Sequence, residues 1–504
     1  MAKLVYRVVS ACGALGCGFP HESLQKALNG RIDAVIAGVG PMEAGQHCPG
    51  GGASDFERDA VRDDFRKMVE AGERISGPVI IGSREMAGGD HDLDWMLDIA
   101  KEIFEELQVR GVKVAVIRSE VDPSIVIDEL RAGALRPLGA GPTLDEEALS
   151  TSTIIGLMGI HPLCAALASS AKYVFAGRSC SSALFAADMI RHGIAAGLAY
   201  HVGHVLECGA RACEPGSPSD CLIAEIYDDG IAVFVSPDET RRCTPYSVAA
   251  HSLYEEAHPQ LQFYPEGILT TAETEFFPVS VLTAGIRKSH FYRKREPWPA
   301  SVKLEGTRRR GASYEWTINH LLKNEEVIRN SLFPIHYYQA SGREWVGEGQ
   351  ARAKYFDVGE VAGTQDLDAR TLCVIEDAPP HCRPFGSRRL LQIARVLRSK
   401  GTRLGWLTID VFFMSKEAYE IALLSNLFCA RSLANVLGLE MKAITGSYFV
   451  DNCSAIKITI EWPKPPAALD NRDKFGARLQ TAIQCLVVPM YIDHNFAVVQ
   501  GHER

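Results

Sequence analysis

Short apolar runs alternate with amphipathic stretches through the first two hundred residues of this chain. Leu4–Ser10, Ala34–Ala37, Val79–Gly82, Val112–Ile117 and Tyr173–Ala176 read as strands, since they are nearly continuous runs rich in Val, Ile and Ala. Between them, His21–Leu28, Phe56–Ala71, Leu93–Leu107, Ile125–Ala132 and a segment from about Ser181 to Arg191 repeat apolar residues at helical spacing. Strands that are apolar on both faces and alternate with helices predict a doubly wound, mostly parallel sheet. This is the α/β architecture expected over residues 1–213. In such sheets ligands gather beyond the carboxyl ends of the strands, which singles out the loops that leave those ends.

Past about Glu214 the pattern changes. Leu222–Tyr227 and Ile231–Ser236 flank Asp228-Asp229-Gly230, a hairpin signal. A helix is predicted at Ser247–Ala257, and short strand-like pieces continue to about Val361. Residues 214–375 therefore read as a mixed α+β domain. The stretch from Ala378 to Pro384 has linker composition. A small α+β domain follows over 385–504, compact from about Arg388 to Ala497, with strands at Trp406–Phe412, Ile456–Ile460 and Cys485–Pro489.

A chain of 504 residues exceeds one ordinary core, and its 46% apolar and 23% charged residues are globular values. The net charge of −9 gives no general attraction to nucleic acid or to an anionic membrane. No apolar run is long enough to span a bilayer. The start runs straight into a strand without a signal-peptide pattern. Fourteen cysteines scattered through apolar segments suit free thiols in a reducing, cytoplasmic setting. The apolar strands and mixed domains lead us to expect a homo-oligomer.

The candidate chemistry lies in five places. The ten residues Tyr200–Gly209 hold His201, His204, Glu207 and Cys208. At ~100° per helical residue, the two imidazoles and the carboxylate fan across one side of a helix. Three readings stay open there: unrelated groups on an exposed helix, metal-free acid–base catalysis, or a divalent metal held by His201, His204 and Glu207. The loop after the first strand carries Gly13, Gly16 and Gly18, where backbone amides could receive an anion. It lacks the dinucleotide spacing, and no acidic residue closes the second strand. The loop with Gly40, Gly51 and Gly52 is long and glycine-rich, without the ATP-binding P-loop pattern. Beyond Gly82 come Arg84 and then Asp90, His91, Asp92 and Asp94 at a helix start, which read as caps or as functional carboxylates or metal ligands. After the strand ending near Ala176 stand Arg178, Ser179, Cys180 and Ser181, where the guanidinium suits a bound carboxylate. The basic run from Arg287 to Arg310 reads as a solvated face or as a landing site for the phosphates of a CoA thioester.

Several of these segments together resemble one family. They are Ser83–Asp90, Gly177-Arg178-Ser179, Glu207-Cys208-Gly209-Ala210, Arg242–Glu255 and Val302–Gly306. Over roughly residues 1–360 the chain resembles the acyclic terpene utilisation A-like proteins. Its last part is similar to a small domain of unknown function that accompanies them, through Leu397–Lys400, Leu407–Asp410 and Ala455–Thr459. The resemblance implies metabolism of branched carboxylic acids, often as CoA thioesters. An aspartate is common in the family where this chain has Ser181, and Glu207 or Asp90 is the expected substitute.

The expected function is a lyase of the hydratase/dehydratase type, or an isomerase, acting on a small branched or multiply charged carboxylate or its acyl-CoA. Glu207, His201, His204, Asp90 and His91 would carry protons. Arg178, Ser179, Ser181, Arg84 and the glycine loops would hold the anion. No cofactor is firmly implied, since no dinucleotide, haem, flavin or pyridoxal phosphate fingerprint is present. The alternative is a non-catalytic acyl-CoA-binding or scaffold subunit of a carboxylase or transferase assembly. A hydrolase with Ser179 or Cys180 as nucleophile finds no G-x-S-x-G support.

Overall fold

The computed structural model describes residues 2–39, 57–83, 89–138, 144–293, 301–310, 313–352, 364–365, 384–403, 406–425, 427–461, 483–484 and 487–491. They fall into two compact units, one of residues 1–252 with 263–367 and the other of residues 253–262 with 368–504.

The first unit is built on an 11-stranded mixed sheet. Its centre is parallel, in the order Leu4–Ser10, Ala34–Val39, Val79–Ser83, Tyr173–Arg178 and Arg110–Ile117. Alternate residues of these strands feed two cores. Val8, Ile36, Ile80, Ala115 and Val174 face the helices Ile160–Ala168, Ser181–Arg191 and Ala196–Leu206. Val9, Val35, Ile81, Val114 and Phe175 face His21–Ala27, Arg58–Gly72 and Asp90–Glu106. Coverage of both faces explains why these strands read as unbroken apolar runs.

The flanks are antiparallel. Leu222–Tyr227, Ala232–Val235, Ala284–Arg287 and Glu275–Pro278 extend one side, and Pro334–Ser341 and Glu344–Arg352 the other. Residues expected to form a mixed middle domain thus supply strands to the same sheet. A smaller antiparallel sheet includes Val302–Arg310, which pairs with Ser313–Leu322 and Thr153–Gly156. The connections from two neighbouring parallel strands part company at the carboxyl rim. Val79–Ser83 leads to Asp90–Glu106 on one face, and Tyr173–Arg178 to Ser181–Arg191 on the other. Such a switch point opens a crevice between strand ends.

The second unit has a four-stranded antiparallel sheet in the order Ala394–Arg403, Trp406–Phe413, Ala455–Glu461 and Ile444–Val450. Leu407, Ile409, Val411, Ile456, Ile458 and Ile460 pack into its core. The intervening positions make a polar face on which Arg398, Asp410 and Lys457 stand directly opposite one another. The helix predicted to Ala257 ends at Ser252. Leu253, Glu255 and Ala257, which follow, meet that polar face. Lys457 Nζ donates to Leu253 O (2.7 Å) and Asp410 Oδ1 (2.6 Å), and Lys400 pairs with Glu255 (2.8 Å).

Candidate functional site at the sheet rim

Arg178 ends the central Tyr173–Arg178 strand, and parallel pairing sets its neighbours. Its backbone N–H donates to Ser119 Oγ (2.8 Å), just beyond the Arg110–Ile117 strand. Its Nε donates to Glu305 Oε2 (3.0 Å), and Lys303 pairs with the other oxygen of that carboxylate. Burial alone would push the Glu305 carboxyl up. The Arg178 guanidinium and the Lys303 ammonium outweigh it and hold the group at about 2. Two cations thus converge on one carboxylate here.

Next to Ser119, Glu120 Oε1 accepts from Asp90 N–H (2.7 Å) at the start of the Asp90–Glu106 helix. Arg118 reaches Asp94 Oδ1 (2.7 Å) and Asp90 Oδ2 (3.4 Å). Burial pushes the Asp90 and Glu120 carboxyls up. It lifts Asp92 furthest, to about 6, aided by the Glu120 charge and opposed by His91 and the Gly89 N–H. Of the aspartates at this helix start, Asp92 is therefore the one poised near neutral pH. His91 is three-quarters exposed, with its Nδ1 3.8 Å from Asp92 Oδ1.

On the other side of Arg178, the first turn of the Ser181–Arg191 helix leads to Glu207. Ser182, rather than Ser181, donates to Glu207 Oε2 (3.1 Å), and Tyr264 OH donates to Ser182 Oγ (3.3 Å). His204 Nδ1 lies 3.2 Å from Glu207 Oε1. Arg178 and Glu207 are thus brought to the same rim, through four residues of one strand-to-helix turn. The Ala196–Leu206 helix is buried along its whole length, which removes the reading of an exposed helix.

His201 does not join this group. Its Nδ1 meets Ser289 Oγ and its Nε2 meets Ser252 Oγ, both at 2.7 Å. Burial, with a smaller contribution from His204, holds the imidazole at about 3, so it stays neutral. With both ring nitrogens engaged by hydroxyls, His201 cannot complete a metal set with His204 and Glu207. Among the described residues, no cluster of three or more His, Cys, Asp or Glu side chains is arranged to hold a metal ion.

The first glycine loop is closed on itself. Gly13 N–H donates to Pro218 O (2.7 Å), and the Gly16 and Gly18 amides both donate to the buried Asp64 Oδ2 (2.9 Å each). Asp64 takes the place an incoming anion would need, so Gly13 and Gly16 do not form the expected cradle. Gly13 instead allows close packing, because a β-carbon there would stand 2.9 Å from Cys208 O. That approach seats the Glu207 turn over the end of the first strand. Ser179 Oγ is buried and without a hydrogen-bond partner among the described residues, pressed toward Gly82, whose β-carbon would stand 2.8 Å away. Gly40, Gly51, Gly52 and Arg84 lie outside the described residues. In the basic run, Arg287 and Lys288 both pair with Glu275, and Lys303 is committed to Glu305.

Arg118, Ser119, Glu120, Ser182 and Glu305 are rim residues that the candidate set drawn from sequence did not include, whereas Asp92 was one of the four groups read as caps or functional carboxylates. Asp92 and Glu305 stood within quoted motifs, whereas Arg118, Ser119 and Glu120 carried no signal beyond following a strand.

No helix among the described residues is long and apolar enough to cross a membrane. No curated protein and no solved structure matches this chain. Residues 86–322 match the family model described as acyclic terpene utilisation family protein AtuA, and residues 390–486 match a domain of unknown function, DUF4387. The rim segments from Asp90 to Glu305 fall inside the first match and the polar-faced sheet inside the second, so one polypeptide holds a stretch that matches the AtuA family and a stretch that matches DUF4387.

Proposed function

We propose that the rim around Arg178 is an active site for acid–base chemistry on a small branched or multiply charged carboxylate, free or as its CoA thioester. The reaction class is addition or removal of water at a double bond, or isomerisation. One observation carries this reading: Arg178 and Lys303, converging on Glu305, share a switch-point rim with a carboxyl group held at about 6. The two cations suit a substrate carboxylate or an enolate that develops from it. A carboxyl group that titrates near neutral pH can both take and return a proton. Asp92 is assigned the proton-carrying role, with Glu207 on the far side of Arg178 as the second carboxylate.

The test is deuterium incorporation. Purified protein is incubated in deuterated water with unsaturated and hydroxylated branched acids and their CoA esters, and products are read by mass. Exchange that is present in the native chain and lost in Asp92→Asn or Glu207→Gln supports the proposal. Tight binding with no exchange for any member of the panel overturns it in favour of an acyl-CoA-binding scaffold.

A further inference from the structure

Cys213 follows the short turn Gly209–Ala212, which itself follows Glu207. Cys243 lies thirty residues further on, before the helix Pro245–Ser252. The backbone between them is set by one antiparallel bridge. Glu214 N–H donates to Arg242 O (2.8 Å), and Arg242 N–H donates to Glu214 O (3.0 Å). Two residues that exchange both bonds form a hydrogen-bonded pair, so the next pair outward is the non-hydrogen-bonded kind, whose side chains approach most closely. That outward pair is Cys213 and Cys243. Their sulfurs are 3.4 Å apart, and both residues are buried free thiols.

We infer that Cys213 and Cys243 are a redox-addressable pair that closes into a cross-strand disulfide. Opposed residues at a non-hydrogen-bonded position have Cα atoms about 4.5 Å apart, inside the span of roughly 4.4–6.8 Å that a disulfide bridges without backbone movement. In the step, two S–H bonds break and one S–S bond forms. Two electrons and two protons pass to an oxidant, for which a small disulfide such as oxidised glutathione serves, itself reduced to two thiols. The Cys243 thiol is pushed well up by its contact with Cys213 and by burial, which keeps the attacking thiolate scarce. Closure is therefore slow and waits on local opening. The product ties the turn behind Glu207 to the segment that enters the Pro245–Ser252 helix. It also encloses the strands Leu222–Tyr227 and Ala232–Val235 in a covalent loop.

The full chain is incubated with oxidised glutathione, unfolded in the presence of an alkylating agent without reductant, digested and mapped by mass spectrometry. The expected result is a peptide linking Cys213 to Cys243, two hydrogens lighter than the sum of its parts. It should be absent from Cys213→Ser and from Cys243→Ser, and in the native chain it should come with a higher melting temperature that dithiothreitol reverses. Recovery of both cysteines alkylated after prolonged oxidation overturns the inference. So does a map in which either cysteine is joined to a different one.

Discussion

Replacing Glu305 by Gln removes one negative charge from a buried site and little else. Arg178 and Lys303 then lose the carboxylate that both of them reach. The size of the effect follows from the carboxyl itself. Burial would raise it, yet the two cations bring it from an ordinary 4.5 to about 2. A gap of about 2.5 pH units, at ~1.4 kcal/mol per unit, corresponds to about 3.5 kcal/mol of interaction between the folded protein and the ionised form. The Glu305 side chain is 12% exposed, so solvent screening takes little of this away. Glu305→Gln should therefore destabilise the first unit by about 2–4 kcal/mol at neutral pH. Because the folded value lies below the unfolded one, this stability is present above about 4.5 and disappears as the pH falls toward about 2. The native chain and the variant should converge on acidification. Hydrogen exchange in graded urea, read on peptides from Tyr173–Arg178 and Val302–Arg310, reports the first unit separately. A second substitution, Lys303→Met, should return part of the loss by removing the excess cation. An unchanged exchange free energy in Glu305→Gln, or a double variant no better than the single one, would refute the reasoning.

Asp92 carries the opposite sign: its folded value of about 6 lies above the unfolded 3.8, so the native chain should lose stability as pH rises through that range. Asp92→Asn should be more stable than the native chain at pH 7 by about 1–3 kcal/mol and equal to it near pH 4, as urea midpoints at the two pH values would show. In the second unit, Asp410→Leu takes from the fully buried Lys457 ammonium the carboxylate it donates to. Loss of one partner of so buried a pair typically costs about 3–5 kcal/mol, whereas Lys457→Met with Asp410→Leu should recover much of it, measured by exchange protection of Ala455–Glu461. Asp64→Asn weakens the acceptor for the Gly16 and Gly18 amides and should cost about 1–2 kcal/mol, with faster exchange in that loop than in the adjoining strand.

The parallel centre of the large sheet was legible because burial on both faces leaves unbroken apolar runs; Leu4–Ser10 begins and ends where the pattern places it. The position of Arg178 at a strand end was legible for a related reason, since strand ends of a parallel sheet share one rim. Pairings across long sequence separations were not. Glu305 stands 127 residues from Arg178, and nothing in the local pattern of Val302–Arg310 says which strand it meets. The His201 outcome was hidden for a different reason. Helical spacing fixes the angle between side chains but not what packs against each, and two serines from distant segments decided it. Helical pattern likewise continued past Ser252, while the chain in fact leaves for the second unit, where Lys457 takes the Leu253 carbonyl.

The motif segments of the second unit make sense once their period is read against the sheet. In Leu407-Thr408-Ile409-Asp410 and Ile456-Lys457-Ile458-Thr459 the apolar members enter the core and the polar ones share the opposite face. On a polar face this buried each carboxylate needs a cation, and Asp410 has Arg398 and Lys457 while Glu255 has Lys400. The rim of the first unit follows the other course. There the cations are concentrated on Glu305, and Asp92, though close to His91, is left with burial as its strongest influence. Two carboxyls at one rim are thereby driven apart, one to about 2 and the other to about 6. Near neutral pH Glu305 is a fixed anion that orients Arg178, while Asp92 alone of the two can change its charge without leaving its place. Matched charges build a scaffold; a carboxyl left short of its match can move a proton, and this difference makes Asp92 rather than Glu305 the group on which the proposed chemistry turns.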